Sequence, residues 1–286
     1  MIEASKGFSK RYAPEVRRLL AFKEKPAYWK NAAKDAKNPL SEVVYGAEDV
    51  IPRYALWGDS HGTALVPVLD ALGKISGEAF RKFGQGALPP VMGVVQTSES
   101  NPDERLRITR ETLDLLVADR SIHTVLLHAR WSLYNRGQNE NHDVARASFF
   151  GVLFDSPDKA EAFYFSKIRE TIDKLVASGK RVIVIGPVPE VGRNVPDMLA
   201  KQQIAGQPLS STVACGDFFE RNGEVLGFLE SLAGVSLVKP HEILLHDDKV
   251  SVMAEDQVLY LDDDHLSTAG AMYLKPLLEN VFSSPP

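Results

Sequence analysis

The feature that most limits how this chain can fold is an alternation. Short apolar runs are each followed by a longer segment with apolar residues at helical spacing. Residues 53–57 form one such run, ending at Gly58. Residues 123–129 form another, and Val-Ile-Val-Ile inside 181–186 forms a third. A strand that is apolar on both faces must be covered on both faces. Helical crossovers between parallel strands provide that cover. Residues 79–83 and 235–238 read as two further short strands. Helical spacing follows in 63–72 (Leu65, Val68, Leu69, Leu72), 103–119, 158–178, 215–232 and 267–282. The expected fold is a three-layer α/β/α sandwich around a parallel sheet of roughly five strands. Sheets of this kind place their sites at the carboxyl ends of the strands, beside a topological switch point. Gly58, Ala129 and Gly186 stand at those ends.

Residues 1–49 read as a helical, basic extension and 50–286 as the catalytic domain. The extension owes its sign to its first 37 residues, where ten Lys/Arg face four Asp/Glu (net +6). The rest of the chain carries 23 against 34 (net −11). An acidic body does not suit a nucleic-acid binder, whose footprint is basic. The basic arm reads either as a solvated helix or as a segment facing anionic lipid or the acidic body. Cys215 stands alone, so no internal disulfide framework exists; it reads as a small buried apolar residue. No run of 18 apolar residues occurs, and the N-terminus lacks the apolar core of a signal peptide. The chain is therefore expected to be either cytoplasmic or a piece of something larger.

Two segments carry chemistry. In Trp57-Gly58-Asp59-Ser60-His61-Gly62, a serine sits where an apolar strand gives way to a helix. That geometry exposes its hydroxyl and turns helix N–H groups toward it. Taken alone, Ser60 reads either as a nucleophile or as a helix cap. In Leu261-Asp262-Asp263-Asp264-His265-Leu266-Ser267, Asp262 lies three residues before His265, at the entry to the last helix, for which Ser267 is the natural cap. A catalytic serine needs a base, and the base needs an orienting carboxylate. The same residues also read as an acidic helix start with a surface histidine. The three aspartates could alternatively hold a cation, but no EF-hand spacing is present. Gly58 to Gly62 satisfies the Gly-x-Ser-x-Gly pattern, yet the mostly polar stretch before it and the short Asp-to-His distance do not suit an α/β-hydrolase elbow.

Gly58-Asp59-Ser60 and Asp262 to His265 resemble the first and last blocks of SGNH (GDSL-like) hydrolases. Further stretches narrow the likeness: Ala129-Arg130-Trp131-Ser132-Leu133-Tyr134, Val184-Ile185-Gly186-Pro187-Val188-Pro189-Glu190, and Leu259 to Ser267. Together they resemble the SGNH domain fused to membrane acyltransferase-3 domains in bacterial O-acetyltransferases, over about residues 50–285. The resemblance implies a flavodoxin-like sheet and a triad of Ser60, His265 and Asp262. It implies acetyl transfer to a hydroxyl of a bacterial surface carbohydrate through a serine acyl-enzyme. No bound cofactor is expected. The acetyl donor would be supplied by a membrane acyltransferase domain of the same polypeptide, the acceptor would be a glycan, and the location would be the periplasmic side of the inner membrane. The basic arm would then be the linker leaving the last membrane helix.

The chain departs from the pattern in lacking the cysteines of many members. It also has no Gly-x-Asn after the strand ending at Ala129, where Arg130 and Trp131 stand, with Asn135 a few residues on. The oxyanion hole is therefore assigned to the Ser60 N–H and to Gly86. Arg130, Trp131 and Asn135 are candidate sugar-binding residues, with a structural Arg and a core Trp as the other reading. A free-standing carbohydrate esterase and a glycan-binding module with a vestigial triad remain the competing functions.

Overall fold

The computed structural model describes residues 12–29, 43–84, 86–96, 101–136, 147–148, 154, 156–216 and 218–283. Its centre is a six-stranded sheet: β1 (Val44–Gly46), β2 (Tyr54–Gly58), β3 (Ala79–Phe83), β4 (Thr124–His128), β5 (Arg181–Ile185) and β6 (Val235–Val238), in the order β1-β3-β2-β4-β5-β6. All neighbours pair parallel except β1, which runs antiparallel to β3 at the edge. The five parallel strands thus have the 2-1-3-4-5 order of flavodoxin-like sheets. Their switch point falls between β2 and β4. That crevice is where the chain emerging from β2 reaches Ser60 and the chain emerging from β4 reaches Arg130.

β2 and β4 are buried along their whole length. The two faces of the sheet accordingly build two separate cores. One contains Leu56, Leu126, Ile183 and Ile185, packed with Leu65, Leu69 and Leu199. The other contains Trp57, Val125, Leu127 and Val184, packed with Leu116, Trp131, Tyr164 and Ile168. Burial of such side chains is worth about 1.5–3 kcal/mol each.

Strand assignments from the sequence agree with the structure to within a residue or two, but four helical features differ. The segment after Gly58 splits into Ser60–Ala64 and Val66–Ser76, with Pro67 opening the second helix. The closing segment likewise breaks into Thr268–Tyr273 and Lys275–Leu278, because Pro276 denies the first helix a continuing N–H. Cys215 lies outside the helix Phe218–Glu230. It is half-exposed rather than buried and follows a strand, Thr212–Ala214, of a small antiparallel sheet. A helix at Val195–Ile204 has no counterpart among the helical spacings of the sequence.

The basic extension contains a helix, Pro14–Ala21, whose Val16 and Leu19 join the core on the side of Val195–Ile204. Lys23 pairs with Asp197 at 2.7 Å, and Trp29 is buried in the same core. β1 also falls within residues 1–49, so this stretch supplies an edge strand as well as a helix. No helix among the described residues is long and apolar enough to cross a membrane.

Candidate active site

Ser60 is the first residue of its short helix, and Asp59 caps that helix by accepting from the His61 N–H at 2.8 Å. The turn is tight because two glycines allow backbone to meet backbone. A Cβ on Gly58 would come within 2.1 Å of the His128 carbonyl oxygen. One on Gly84, at φ +102, would come within 2.1 Å of the Gly58 carbonyl oxygen. Asp59 is buried, and its second oxygen accepts from the Arg130 N–H at 3.0 Å and from the Tyr134 hydroxyl at 2.7 Å. The residue before Ser60 therefore locks the end of β2 to the loop leaving β4.

The 262–265 loop is held in a different way. Leu261 N–H donates to the His265 carbonyl at 2.8 Å, and Tyr260 bridges to Leu266. The Asp262 and Asp263 carbonyls accept from the N–H groups of Val195 and Val191, and the Tyr260 hydroxyl donates to the Pro189 carbonyl at 2.9 Å. Within the loop, Asp262 Oδ1 accepts from the N–H groups of Asp264 and His265. Ser267 caps the following helix, accepting from Gly270 N–H at 3.0 Å.

These elements bring three distant side chains together. His265 Nε2 lies 2.8 Å from Ser60 Oγ, and His265 Nδ1 lies 3.0 Å from Asp262 Oδ2. Sequence reasoning did not anticipate that Nδ1 also lies 2.7 Å from Asp264 Oδ1. Carboxylates only accept, so Nδ1 carries the proton. In the neutral ring Nε2 is then free to accept from the serine hydroxyl.

Burial of the imidazole opposes its charge. The hydrogen bonds and negative charges of Asp262 and Asp264 outweigh this and push His265 up to about 10. Burial would likewise raise the Asp264 carboxyl, but His265 and His61 hold it far below the usual carboxylate range. No hydrogen bond joins His61 to Asp264, since its Nε2 is 3.8 Å from Asp264 Oδ2. His128, wholly buried, is pushed down to about 4 by desolvation and by His61.

Behind Asp264 runs a buried ionic chain. Arg130 Nη1 meets Asp264 Oδ2 at 2.7 Å, Arg130 Nε donates to Glu190 Oε1 at 3.0 Å, and Arg221 Nε donates to the same oxygen at 3.1 Å. Burial would raise Glu190, but Arg130 and Arg221 bring it below its usual value. Arg130 is thus committed to the interior. Trp131 is fully buried, with its indole N–H donating to the Ile185 carbonyl at 2.8 Å. Asn135 donates to Glu161 at 2.6 Å. Of the two sequence readings of Arg130 and Trp131, these contacts fit the structural Arg and core Trp: the chain leaving β4 turns inward, so both side chains point into the protein. Gly86 is exposed, and its carbonyl accepts from Arg105 at 2.7 Å. The glycine packed against the nucleophile turn is Gly84.

Trp29 of the extension lies edge-on to His265, ring centroids 5.3 Å apart, with Lys25 Nζ 4.9 Å from the Trp29 ring. For a cation, His61, Asp264 and His265 offer atoms within 4.8 Å of one another, as do Asp262, Asp263 and Asp264. In both sets the Asp264 oxygens already serve Arg130 and His265. Of the residues sequence reasoning missed, Asp59 had a visible signal, since Asp before a helix-opening Ser is a favoured cap. Asp264, Glu190 and Trp29 had none, because their partners are distant in the chain.

A flavodoxin-ordered α/β/α sandwich with Ser, His and Asp converging on its switch point defines the class: the SGNH/GDSL hydrolase type of enzyme fold. More narrowly, the chain belongs to the family described as the SGNH domain fused to AT3 domains, whose model matches residues 27–280. Among solved structures, it is similar to the periplasmic domain of a lipopolysaccharide acetyltransferase from Salmonella ser. Paratyphi A. The TM-score is 0.63 at 15% identity, covering 92% of this chain and 100% of that one. A GDSL-like lipase from Bacteroides thetaiotaomicron aligns over 91% of this chain and 97% of its own, with a TM-score of 0.44 at 13% identity. No curated protein sequence matches.

Proposed function

We propose that this domain transfers an acyl group, an acetyl in the first instance, to a hydroxyl of a bacterial surface carbohydrate through an acyl-enzyme on Ser60. The observation that carries the reading is the unbroken line from Asp262 through His265 to Ser60, at 3.0 and 2.8 Å. His265 Nε2 removes the serine proton as Oγ attacks the acetyl carbonyl, while Asp262 keeps Nδ1 protonated and the ring aligned. The Ser60 N–H and Gly86 are the proposed donors to the oxyanion. Collapse of the tetrahedral adduct expels the donor's leaving group, which takes the proton from His265. The sugar hydroxyl then gives its proton to His265 and attacks the acetyl-serine; as this second adduct collapses, the Ser60 Oγ–carbonyl bond breaks, Oγ takes the proton back from His265, and the acetylated sugar leaves. No bound metal or cofactor is needed for either half.

Family membership supports a partner: a membrane acyltransferase domain, in the same polypeptide, presenting the acetyl group on the periplasmic side. The similar Salmonella domain belongs to a lipopolysaccharide acetyltransferase, and by that likeness a glycan is the proposed acceptor here.

Hydrolysis to free acetate is the second reading, and one observation favours it. Arg130 and Trp131, the sequence's candidates for holding a sugar, are occupied inside the protein. The triad alone serves water as readily as an alcohol. Incubating the purified chain with p-nitrophenyl acetate, with and without glycan, separates the two. Transfer predicts acetylated glycan and acetate release suppressed by acceptor; hydrolysis predicts release indifferent to acceptor. Failure of a fluorophosphonate to label Ser60 would overturn both.

A further inference from the structure

We infer that the orienting acid of this site is divided between two carboxylates, with Asp264 as a second positioning residue whose charge lies against His265 Nδ1 and is itself fixed by Arg130. The inference rests on Ser60 and His265 being nucleophile and base, as proposed above.

Three observations carry it. First, Asp264 Oδ1 approaches Nδ1 at 2.7 Å, closer than either oxygen of Asp262, at 3.0 and 3.2 Å. Second, the two carboxylates differ in burial: the Asp262 side chain is 30% exposed and the Asp264 side chain 6%. A buried charge with a short contact is the stronger electrostatic partner, because water screens it less. Third, Asp264 is clamped from behind. Its other oxygen meets Arg130 at 2.7 Å, and Arg130 is anchored on Glu190, which also accepts from Arg221. Asp262, by contrast, spends one oxygen on the N–H groups of Asp264 and His265, which shapes the loop. Asp262 therefore takes the Nδ1–H and sets the loop's turn, while Asp264, in ion-pair contact at 2.7 Å but out of line with that hydrogen bond, adds a buried charge that holds the imidazole in place.

The chain Arg221–Glu190–Arg130–Asp264–His265 alternates in sign. Each buried charge has a partner, which keeps the second carboxylate ionised so close to the first. It also accounts for the inward turn of Arg130. The groups facing His265 are Asp262, Asp263 and Asp264 on its own loop, Ser60 and His61 on the helix after β2, and Trp29 with Lys25 on the extension. Arg130 and His128, at the end of β4, stand behind Asp264 and His61. Two carboxylates at Nδ1 favour the imidazolium, so the fraction of free base grows with pH into the alkaline range.

The test is the rate of Ser60 labelling by a fluorophosphonate, followed against pH, in Asp262→Asn, Asp264→Asn and the double variant. Neutralising a triad's sole carboxylate lowers the rate about ten-thousandfold. With a divided acid, Asp262→Asn should lose roughly tenfold to a hundredfold, and only the double variant should approach the full loss. Each single variant should also shift the alkaline limb to lower pH, a change that a merely structural role for Asp264 would not produce. Full loss in Asp262→Asn alone, or an Asp264→Asn limb that superimposes on the unaltered protein, would overturn the inference. If Asp264→Asn does not fold, the residual rate of Asp262→Asn, a change at a half-exposed position, decides alone. Absence of labelling in the unaltered chain would instead sink the nucleophile assignment.

Discussion

The two halves of the site are held by different forces. The turn at 58–60, which carries Ser60, is packed by backbone sterics: Gly58 and Gly84 lie so close to neighbouring carbonyls that no side chain fits. The base loop at 262–265 is fixed by charge, with an imidazole between two carboxylates and a buried arginine behind them. Steric fixation does not change with pH. Electrostatic fixation does, and it can be relaxed one proton at a time. Ser60 is therefore rigid by construction, while His265, the base proposed for it, sits in a titratable cradle.

The comparison breaks most sharply at the reacting atoms. Ser60→Ala should lower acyl transfer or hydrolysis roughly a millionfold, to background, with the melting temperature little changed. Kinetics with p-nitrophenyl acetate beside a thermal melt check this. Activity that survives would mean that the turn, however rigid, does not present the nucleophile.

Arg130→Leu strikes the charged half. It leaves Asp264 and Glu190 buried without their shared cation, at a cost of about 3–5 kcal/mol. For a chain of this length that is a fall of roughly 10 °C in melting temperature, readable by calorimetry. A fall of a degree or less would remove the electrostatic account of the loop.

Gly58→Ala strikes the steric half. Its new methyl would meet the His128 carbonyl, and overpacking of this kind costs about 1–3 kcal/mol or more. Denaturant titration measures it. The cost should be the same at pH 6 and pH 9, since no titrating group is involved.

The loop should respond to pH on its own. His265 titrates higher in the folded chain than the usual 6.5, so its stabilising contribution is fully present below about 6.5 and lost as pH rises through about 10. Hydrogen exchange at the Asp264 and His265 amides should speed up across that window relative to Asp59 and His61. Equal acceleration in both regions would erase the distinction. The smallest effect is at the edge of the loop, where Ser267→Ala removes a helix cap and should cost about 1 kcal/mol.

Much of this was legible in the chain because it is local. The apolar runs at 54–58, 124–128 and 181–185 fixed the strands, since a strand buried on both faces writes itself as continuous apolar sequence. Ser60 and the Asp262–His265 spacing marked the residues proposed to react for the same reason: each block is a few residues long. Less legible were the edge strand Val44–Gly46 and the helix Val195–Ile204, whose residues carry no strong period and are held mainly by what they pack against.

The sequence by itself determined a parallel sheet, its site-bearing ends and the identities of serine, histidine and aspartate. Only the tertiary structure decided that Arg130 turns inward to Asp264, that Trp131 is core, and that Trp29 of the extension abuts the base. The physical reason is range. Periodicity and caps are contests between near neighbours, settled within one or two turns. The partner of a buried charge is chosen by which distant loops the sheet order brings to the same edge, and no short stretch of sequence holds that information.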